Sequence, residues 1–372
     1  MTLKEELEIL RGEPIQVFTG DPMDIPCIET SDPERLCRHP VVSVCMITYN
    51  HESFIRQAID GVMMQKTDFE FELVIGEDAS QDKTREVCFE YQKRYPDKVR
   101  VLWWHENVSK LGGNGRRTRA HCRGEFIALC EGDDYWIDPL KLQKQVDVMR
   151  AHQEVGLCFC RSSSLNMKTG EETVFEQEFK SGLIAGLNFV RNVTYGVSPE
   201  SLSMTTVRTA TALYRKNAFQ EAKRQFDILD WRLLLGDTTL WLSLASCSDV
   251  FYLWDIVSCY RANVPGSLMS RNRCKVLRDA WIVRAYFAIV SCHDDYSHFG
   301  VHLIERLEDA FFARLASERS FKQMVDAYQL LQAKSFAKAI TIKGWIRFLL
   351  ALMGCYGPIT LGCWRKAKGL FK

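Results

Sequence analysis

Two apolar runs in this sequence end in carboxylates. Phe126-Ile127-Ala128-Leu129-Cys130 leads into Glu131-Gly132-Asp133-Asp134, and Phe71 to Gly76 leads into Glu77-Asp78. Acids delivered together in this way suit Mg²⁺ or Mn²⁺, with substrate phosphate oxygens completing the shell. They do not suit a bare phosphate, which they repel unless a metal lies between. The alternative for the first cluster is a solvated acidic turn whose Asp133 and Asp134 complement a helix dipole near Pro139. The apolar run before it and Tyr135-Trp136 after it weigh against plain solvation. A third polar set, Thr48-Tyr49-Asn50-His51, closes the apolar run from Val41 to Ile47.

The segments around these sets explain how they could meet. Val41 to Ile47, Phe71 to Gly76, Val99 to Trp103 and Phe126 to Cys130 read as strands buried on both faces of a parallel sheet. Between the first two, Phe54, Ile55, Ala58, Ile59, Val62 and Met63 recur at helical spacing. A further helix is expected from about Asp82 to Tyr95, and a short basic one after the Gly-rich loop Gly112-Gly113-Asn114-Gly115. Alternating strands and helices predict a doubly wound α/β domain, mostly parallel, with helices on both faces. Such sheets bind ligands beyond the carboxyl ends of their strands, where the polar sets fall. Past residue 155 the pattern is mixed. It has strand-like stretches at Val155 to Phe159, Thr209 to Tyr214 and Val250 to Leu253, a helix around Thr239 to Ala245, and helices from about 276 to 332.

Composition excludes several classes of function. The 372 residues are 47% hydrophobic and 26% charged, which excludes a disordered, collagen-like or coiled-coil chain. Lys plus Arg total 48 and Asp plus Glu 47, so no global field points to nucleic acid. The balance is local: residues 327–372 hold eight Lys/Arg and no Asp/Glu, leaving 40 basic against 47 acidic residues before them. Fourteen cysteines, among them Cys45, Cys130 and Cys158, sit in apolar runs without a C-x-x-C pair. They read as buried free thiols rather than a disulfide framework or a structural zinc site. The start, Met1-Thr2-Leu3-Lys4-Glu5-Glu6, has no export-leader pattern, so a cytoplasmic location is expected.

Four segments in order then carry a resemblance. Val44-x-Met46-x-Thr48-Tyr49-Asn50, Gly76 to Thr84, Gly124 to Trp136 and Pro139-x-Lys141-Leu142-x-x-Gln145 resemble family 2 glycosyltransferases of the GT-A fold. The likeness is close over about residues 40 to 160. It continues more loosely to about 270 through Thr209 to Arg215, Gly236-Asp237-x-x-Leu240-x-Leu242, and Tyr260-Arg261 with Gly266-Ser267. The division implied is a lead-in over 1–39, a GT-A domain over 40–270, a helical region over 271–340 and a basic apolar tail over 341–372. Within the GT-A domain, 40–155 is the nucleotide-sugar half and 156–270 the acceptor half.

The resemblance implies transfer of one sugar, with inversion, from a nucleotide diphosphate sugar (a UDP-sugar as first expectation) to an acceptor hydroxyl. Thr48, Tyr49 and Asn50 fall where the family lines the nucleotide pocket, with Glu52 behind, and Asp78 where an acid meets the nucleobase. Glu131-x-Asp133 occupies the D-x-D position. It makes Asp133 the ligand of Mn²⁺ or Mg²⁺ and Asp134 the neighbouring acid of that motif. Asp237 aligns with the general base, and Arg261 with the segment that closes over the diphosphate. Developing charge on a leaving nucleoside diphosphate needs such a metal, and an acceptor hydroxyl needs a carboxylate with a free lone pair. Asp237 also precedes a helical pattern, so a helix N-cap is its other reading.

The chain departs from the family pattern in three places. Glu131 stands where Asp is usual, Gly236 stands where an acid is common before the base, and no Gln-x-x-Arg-Trp segment follows. The last argues for single addition over processive synthesis. A sugar nucleotidyltransferase would place a Gly-rich loop where Thr48 to His51 stand, and a non-catalytic sugar-binding protein would not need Asp133 with Asp237. The Gly112 to Gly115 loop fits neither a dinucleotide nor a P-loop spacing, but it could cover the donor, with Arg116, Arg117 and Arg119 near phosphate or on a solvated face. His298 and His302 lack a third ligand, and Trp231 or Trp254 could stack on a sugar ring, burial being the first reading of each. The uncharged stretch Phe348 to Trp364, flanked by Arg347 and Arg365-Lys366, reads either as a hairpin packed on the body or as an interfacial membrane segment. The expected partners are therefore a glycan or lipid-linked acceptor and the inner face of a membrane, with no nucleic acid.

Overall fold

The computed structural model describes residues 26–109, 113–175, 179–195, 207–225 and 236–264. The predicted helical region over 271–340 and the tail over 341–372 lie outside them, as do His298, His302 and Trp231. The parallel core is β2 (Val42–Thr48), β3 (Phe71–Glu77), β4 (Val99–Trp103) and β5 (Phe126–Glu131). Each strand lies where its apolar run predicts, extended to the first polar residue in β2, β3 and β5. An edge strand, β1 (Ile28–Thr30), pairs antiparallel with β4.

The second half continues the same sheet. The two-residue β6 (Tyr135–Trp136) follows β5. Then come β7 (Val155–Asn166), β8 (Glu172–Val174), β9 (Gly182–Ile184), β10 (Leu213–Arg215) and β11 (Asp249–Ala262). The order is β1-β4-β3-β2-β5-β10-β7-β11-β6, with β8 on β7 and β9 on β11. β10 runs antiparallel between β5 and β7, while β7 and β11 are parallel to each other. The expected strand from Thr209 to Tyr214 divides instead. Thr209–Thr211 form a 3₁₀ turn and the strand starts at Leu213. The turn is closed by N–H groups of Thr211 and Ala212 donating to the carbonyls of Arg208 and Thr209.

Because successive strand residues point to opposite faces, each strand feeds two cores. Val42, Val44, Met46, Leu73, Ile75 and Ala128 face one layer, packed under α1 (Ile55–Met63), α2 (Thr84–Arg94) and α4 (Lys141–Ala151). Cys45, Val74, Leu102, Ile127 and Leu129 face the other. That side carries α3 (Asn114–Ala120), α5 (Gly186–Tyr195), α6 (Lys216–Gln225) and α7 (Gly236–Cys247). The two buried faces explain why these strands read as continuous apolar runs rather than alternating ones. α1 lies close over β6 at Gly61, where a Cβ would stand 2.8 Å from the Trp136 carbonyl oxygen. The ten cysteines among the described residues are free thiols, with Cys45, Cys130 and Cys158 buried.

Candidate active site

The register of the sheet puts the polar strand ends side by side. Thr48 is paired with Glu77 across β2 and β3, and Ile47 with Glu131 across β2 and β5. The chain then turns sharply at Gly132, whose N–H donates to the Ile47 carbonyl at 2.9 Å. A Cβ at Gly132 would stand 2.6 Å from Thr48 Oγ1 and 3.0 Å from His51 Nδ1, so no larger residue fits. Thr48 Oγ1 and His51 Nδ1 are 3.2 Å apart, and His51 Nε2 faces Asp133 Oδ2 at 3.8 Å. Burial holds the His51 imidazole below its ordinary value, although Asp133 and Asp82 favour its charged form.

The three acids of the turn have different surroundings. The Asp133 side chain is 23% exposed and open to a ligand. Asp134 is buried, and its Oδ1 accepts the Arg261 main-chain N–H at 2.8 Å. Burial, with Asp133 and Glu131 beside it, raises its carboxyl well above the usual range. Glu131 is bonded to the Thr209 side chain, while its Oε2 is buried without a hydrogen-bond partner. Its carboxyl is pushed up to about 8 by burial and by Asp133, with Asp237 contributing.

That orphaned carboxylate oxygen beside the open Asp133 fits a hard divalent cation, because both are oxygen donors in an otherwise electron-rich corner. Among the described residues no three His, Cys, Asp or Glu side chains form a complete metal cage. Such a cation would therefore take Asp133 and Glu131 from the protein and its remaining ligands from substrate and water.

Arg261 ties the turn to the rest of the domain. Its guanidinium donates to the Asp133 carbonyl and to Gln57 Oε1, and it lies 5.0 Å from the Phe54 ring and 4.4 Å from the Tyr135 ring. With its donors engaged in this way, it braces the acidic turn against α1.

Asp237, near the start of α7, is partly buried. Its Oδ1 accepts the Thr238 N–H at 2.6 Å. An N-cap side chain bonds two or three residues onward, so this short bond to the next residue is not the capping pattern. Burial raises the Asp237 carboxyl; the Thr238 hydrogen bonds oppose the rise most and the Arg208 charge least. Arg208 itself lies 3.8 Å over the Phe175 ring and 4.9 Å over the Tyr260 ring.

The remaining predicted site residues are bound up in loop architecture. Asn50 takes a left-handed φ of 55° and Ala79 one of 59°, so both strand-end loops turn abruptly. Asn50 accepts the Gln81 N–H at 2.8 Å. Glu52 accepts that of Lys83 at 3.0 Å while its own N–H donates to Asp82 at 3.0 Å. Asp78 is buried, its Oδ1 accepting the Val108 N–H at 2.6 Å and its Oδ2 the Ser109 N–H at 3.1 Å. Its carboxyl is raised by burial, which these hydrogen bonds offset. Tyr49 is 36% exposed. Arg117 is buried and donates to the Val108 carbonyl at 3.3 Å, and Arg119 lies 5.8 Å over the Phe219 ring.

His51, Gln57, Phe175 and Arg208 were not singled out from the sequence. His51 stood in the polar set after β2, a usable signal. Arg208 carries no spacing signal, because its neighbours Phe175, Tyr260 and Asp237 are distant in the chain.

The glycosyl transferase family 2 model matches residues 43–221, from β2 through the acidic turn into α6. Residues 43–221 are a family 2 glycosyltransferase domain. The uncharacterised protein Rv1520 of Mycobacterium tuberculosis is 33% identical over 193 residues, 52% of each chain. The chain thus spans about half the length of the curated relatives it matches. A putative teichuronic acid biosynthesis glycosyltransferase of Bacillus subtilis, TuaG, is 31% identical over 111 residues, 30% of this chain and 42% of that one. Among solved structures, residues 1–349 of Staphylococcus aureus TarS in complex with UDP-GlcNAc superpose with a TM-score of 0.51 at 17% identity, covering 84% and 88% of the two chains. This last likeness is one of fold. The predicted mostly parallel α/β sheet of the glycosyltransferase domain agrees with it.

Proposed function

We propose that the protein is an inverting, metal-dependent glycosyltransferase that moves one sugar from a nucleotide diphosphate sugar to an acceptor hydroxyl, in cell-surface polysaccharide or lipid-linked glycan synthesis. The observation that carries the reading is that acids in two kinds of surroundings act on one residue, Glu131, whose carboxyl is raised by burial, by Asp133 and by Asp237. Asp133 is open and unprotected, whereas Asp237 is partly buried with a raised carboxyl. Different surroundings set carboxylates to different tasks. TuaG's name as a teichuronic acid biosynthesis glycosyltransferase supports the polymer class, and the UDP-GlcNAc held by TarS supports a UDP-sugar donor.

In this mechanism Asp133 and Glu131 would hold Mn²⁺ or Mg²⁺ against the diphosphate. The cation when bound supplies Lewis-acid neutralisation of the leaving group. Arg261 and Gly132 fix where Asp133 stands. Thr48 and Tyr49 line the nucleotide side, with Asn50, Glu52 and Asp78 setting the loops around it. Asp237 takes the proton from the acceptor hydroxyl as its oxygen attacks the anomeric carbon and the bond to the diphosphate breaks.

A panel of nucleotide sugars tested with Mn²⁺, reading release of nucleoside diphosphate, checks the proposal. Turnover of one donor, lost on chelation, is expected. Turnover of none, or turnover indifferent to chelation, would overturn the reading. We further propose that the basic tail, outside the described residues, holds the enzyme at the inner face of an anionic membrane, each Lys/Arg near the surface contributing about 1 kcal/mol. Among the described residues no helix is long and apolar enough to cross a membrane. Full-length protein should sediment with anionic vesicles and a version ending at Ile342 should not, and equal binding would remove the tail from this role.

A further inference from the structure

The segment Pro139-x-Lys141-Leu142-x-x-Gln145 carries part of the resemblance but no part of the mechanism just described. Lys141 and Gln145, one helical turn apart on α4, are both fully buried. A charge in the interior is costly unless something there holds it. The Lys141 ammonium meets an amide and an aromatic face rather than a carboxylate. Its Nζ donates to Gln145 Oε1 at 2.8 Å and lies 4.1 Å from the centre of the Trp136 ring, a cation–π contact. Burial pushes it down to about 8, so it still carries its charge at pH 7. Gln145 Nε2 donates in turn to the Thr211 carbonyl at 2.9 Å and to the Cys158 carbonyl at 3.3 Å. One chain of contacts, from Trp136 through Lys141 and Gln145 to Thr211, therefore crosses from β6 through α4 to the 3₁₀ turn ahead of β10.

Both ends of that chain land on the acidic turn. Trp136 closes β6, two residues after Asp134. Thr211 ends the 3₁₀ turn, which is set against β5 by the Leu129 N–H donating to the Ala212 carbonyl at 3.3 Å. The first residue of that turn, Thr209, hydrogen-bonds Glu131 through its side chain. Glu131 and Trp136 thus flank Gly132, Asp133 and Asp134, and each is tied to the same pair on α4. Filling the core would not require this, because apolar side chains of similar volume do so without burying a charge or an amide. We propose that Lys141 and Gln145 are positioning residues for the acidic turn, holding its two flanks in place so that Glu131 and Asp133 meet one divalent cation. The proposal rests on the reading of that cation site. Glu131 Oε2 has no hydrogen-bond partner, so the place of this carboxylate is set by its backbone and by Thr209, and both depend on how the 3₁₀ turn is anchored.

The test uses the full chain and two readouts. Hydrogen exchange without metal or nucleotide follows the peptide covering 131–136, with 71–77 as the control. Gln145→Met keeps the volume and loses the link to Thr211. The turn peptide should then exchange about tenfold faster, the worth of one or two hydrogen bonds, with the control as in wild type. Lys141→Met should change the turn peptide in the same direction. Calorimetry with UDP, with and without Mn²⁺, reads the site itself. Both variants should bind UDP alone as wild type does and lose about 10–100-fold of the affinity that Mn²⁺ adds. Thr209→Val lies outside the buried pair and removes only the bond to Glu131, so it tests the link even where a buried variant fails to fold, and it should show the same metal-specific loss. Glu131→Gln should show that loss already, and adding Gln145→Met to it should change nothing more. A turn peptide that exchanges as in wild type in Gln145→Met or Lys141→Met would overturn the proposal. So would a lowered Tm with the Mn²⁺ gain undiminished, the mark of a pair that only fills the core. A wild type whose UDP affinity ignores Mn²⁺ would overturn the cation reading alone, and exchange would still report whether the pair anchors the turn.

Discussion

Arg261 and Asp134 are joined by a hydrogen bond, the Arg261 main-chain N–H donating to Asp134 Oδ1 at 2.8 Å, across 127 positions of sequence. The same arginine donates from its guanidinium to the Asp133 carbonyl and to Gln57. One residue of β11 therefore orients both acids of the turn and fastens it to α1. Lysine cannot reproduce a planar fork with donors in two directions. Arg261→Lys should fold, retain β11 and weaken metal-dependent nucleotide binding by about tenfold or more, a loss of at least ~1.4 kcal/mol. Calorimetry with UDP and Mn²⁺ measures it, and unchanged affinity would limit Arg261 to ordinary packing.

Asp133→Ala tests the cation directly. The side chain is the exposed acid of the turn, and its loss leaves Glu131 as the remaining donor. Binding of a nucleoside diphosphate should lose its dependence on Mn²⁺ while the free energy of unfolding stays within about 0.5 kcal/mol of wild type. A variant with an undiminished metal effect would remove Asp133 from the cation.

Asp237→Asn separates proton transfer from helix support. Asparagine keeps the size and a side-chain oxygen for the Thr238 N–H, but it cannot accept the hydroxyl proton. The variant should fold, hold metal and donor as wild type does, and lose transfer by about 10²–10⁴. Transfer within a few-fold of wild type would assign the base to another carboxylate.

Gly132→Ala should be costly despite its small size. The added Cβ would meet Thr48 Oγ1 at 2.6 Å and Thr48 Cβ at 2.8 Å. Thr48 is buried on a central strand, so the turn must move instead. A loss of about 1–3 kcal/mol in chemical denaturation is expected, with weaker nucleotide binding.

At the opposite end of the strands, Glu72 is buried. It accepts from Ser43 Oγ at 2.6 Å, Arg123 N at 2.9 Å, Arg123 Nε at 2.8 Å and Arg100 at 3.2 Å. Burial favours its neutral form, but the bonds from Arg123 and Ser43 with the Arg100 charge prevail and lower its carboxyl. An acid lowered in the folded state stabilises above its unfolded pKa, and that stability is lost as pH falls through the folded value. Glu72→Gln should cost about 3–5 kcal/mol at neutral pH, because two arginines lose a buried partner. The gap from wild type should narrow on acidification, and a gap independent of pH would mean that the loss is one of packing.

The parallel core and the acidic edge could be read from the sequence because both are local. Val42–Thr48, Phe71–Glu77 and Phe126–Glu131 announce themselves by unbroken apolar runs, since each is buried on both faces. The polar residues that end them must emerge on one edge, since the strands are parallel. Thr48, Glu131, Asp133 and Asp134 were legible as a set for that reason. Where sequence reasoning stopped, long-range pairing decided. The antiparallel β10 inserted between β5 and β7, and the 3₁₀ turn that replaces a predicted strand at Thr209–Thr211, follow from tertiary closure rather than local pattern. The parts that Asn50, Glu52 and Asp78 take in bracing the loops, and that Arg261 takes toward both acids, likewise depend on partners far away in the chain. Residue type and spacing specify which groups reach the strand edge. Which of them remains open, as Asp133 does, and which is buried against a distant partner, as Asp134 is, depends on desolvation and hydrogen bonding, which exist only once the second half of the sheet has joined the first.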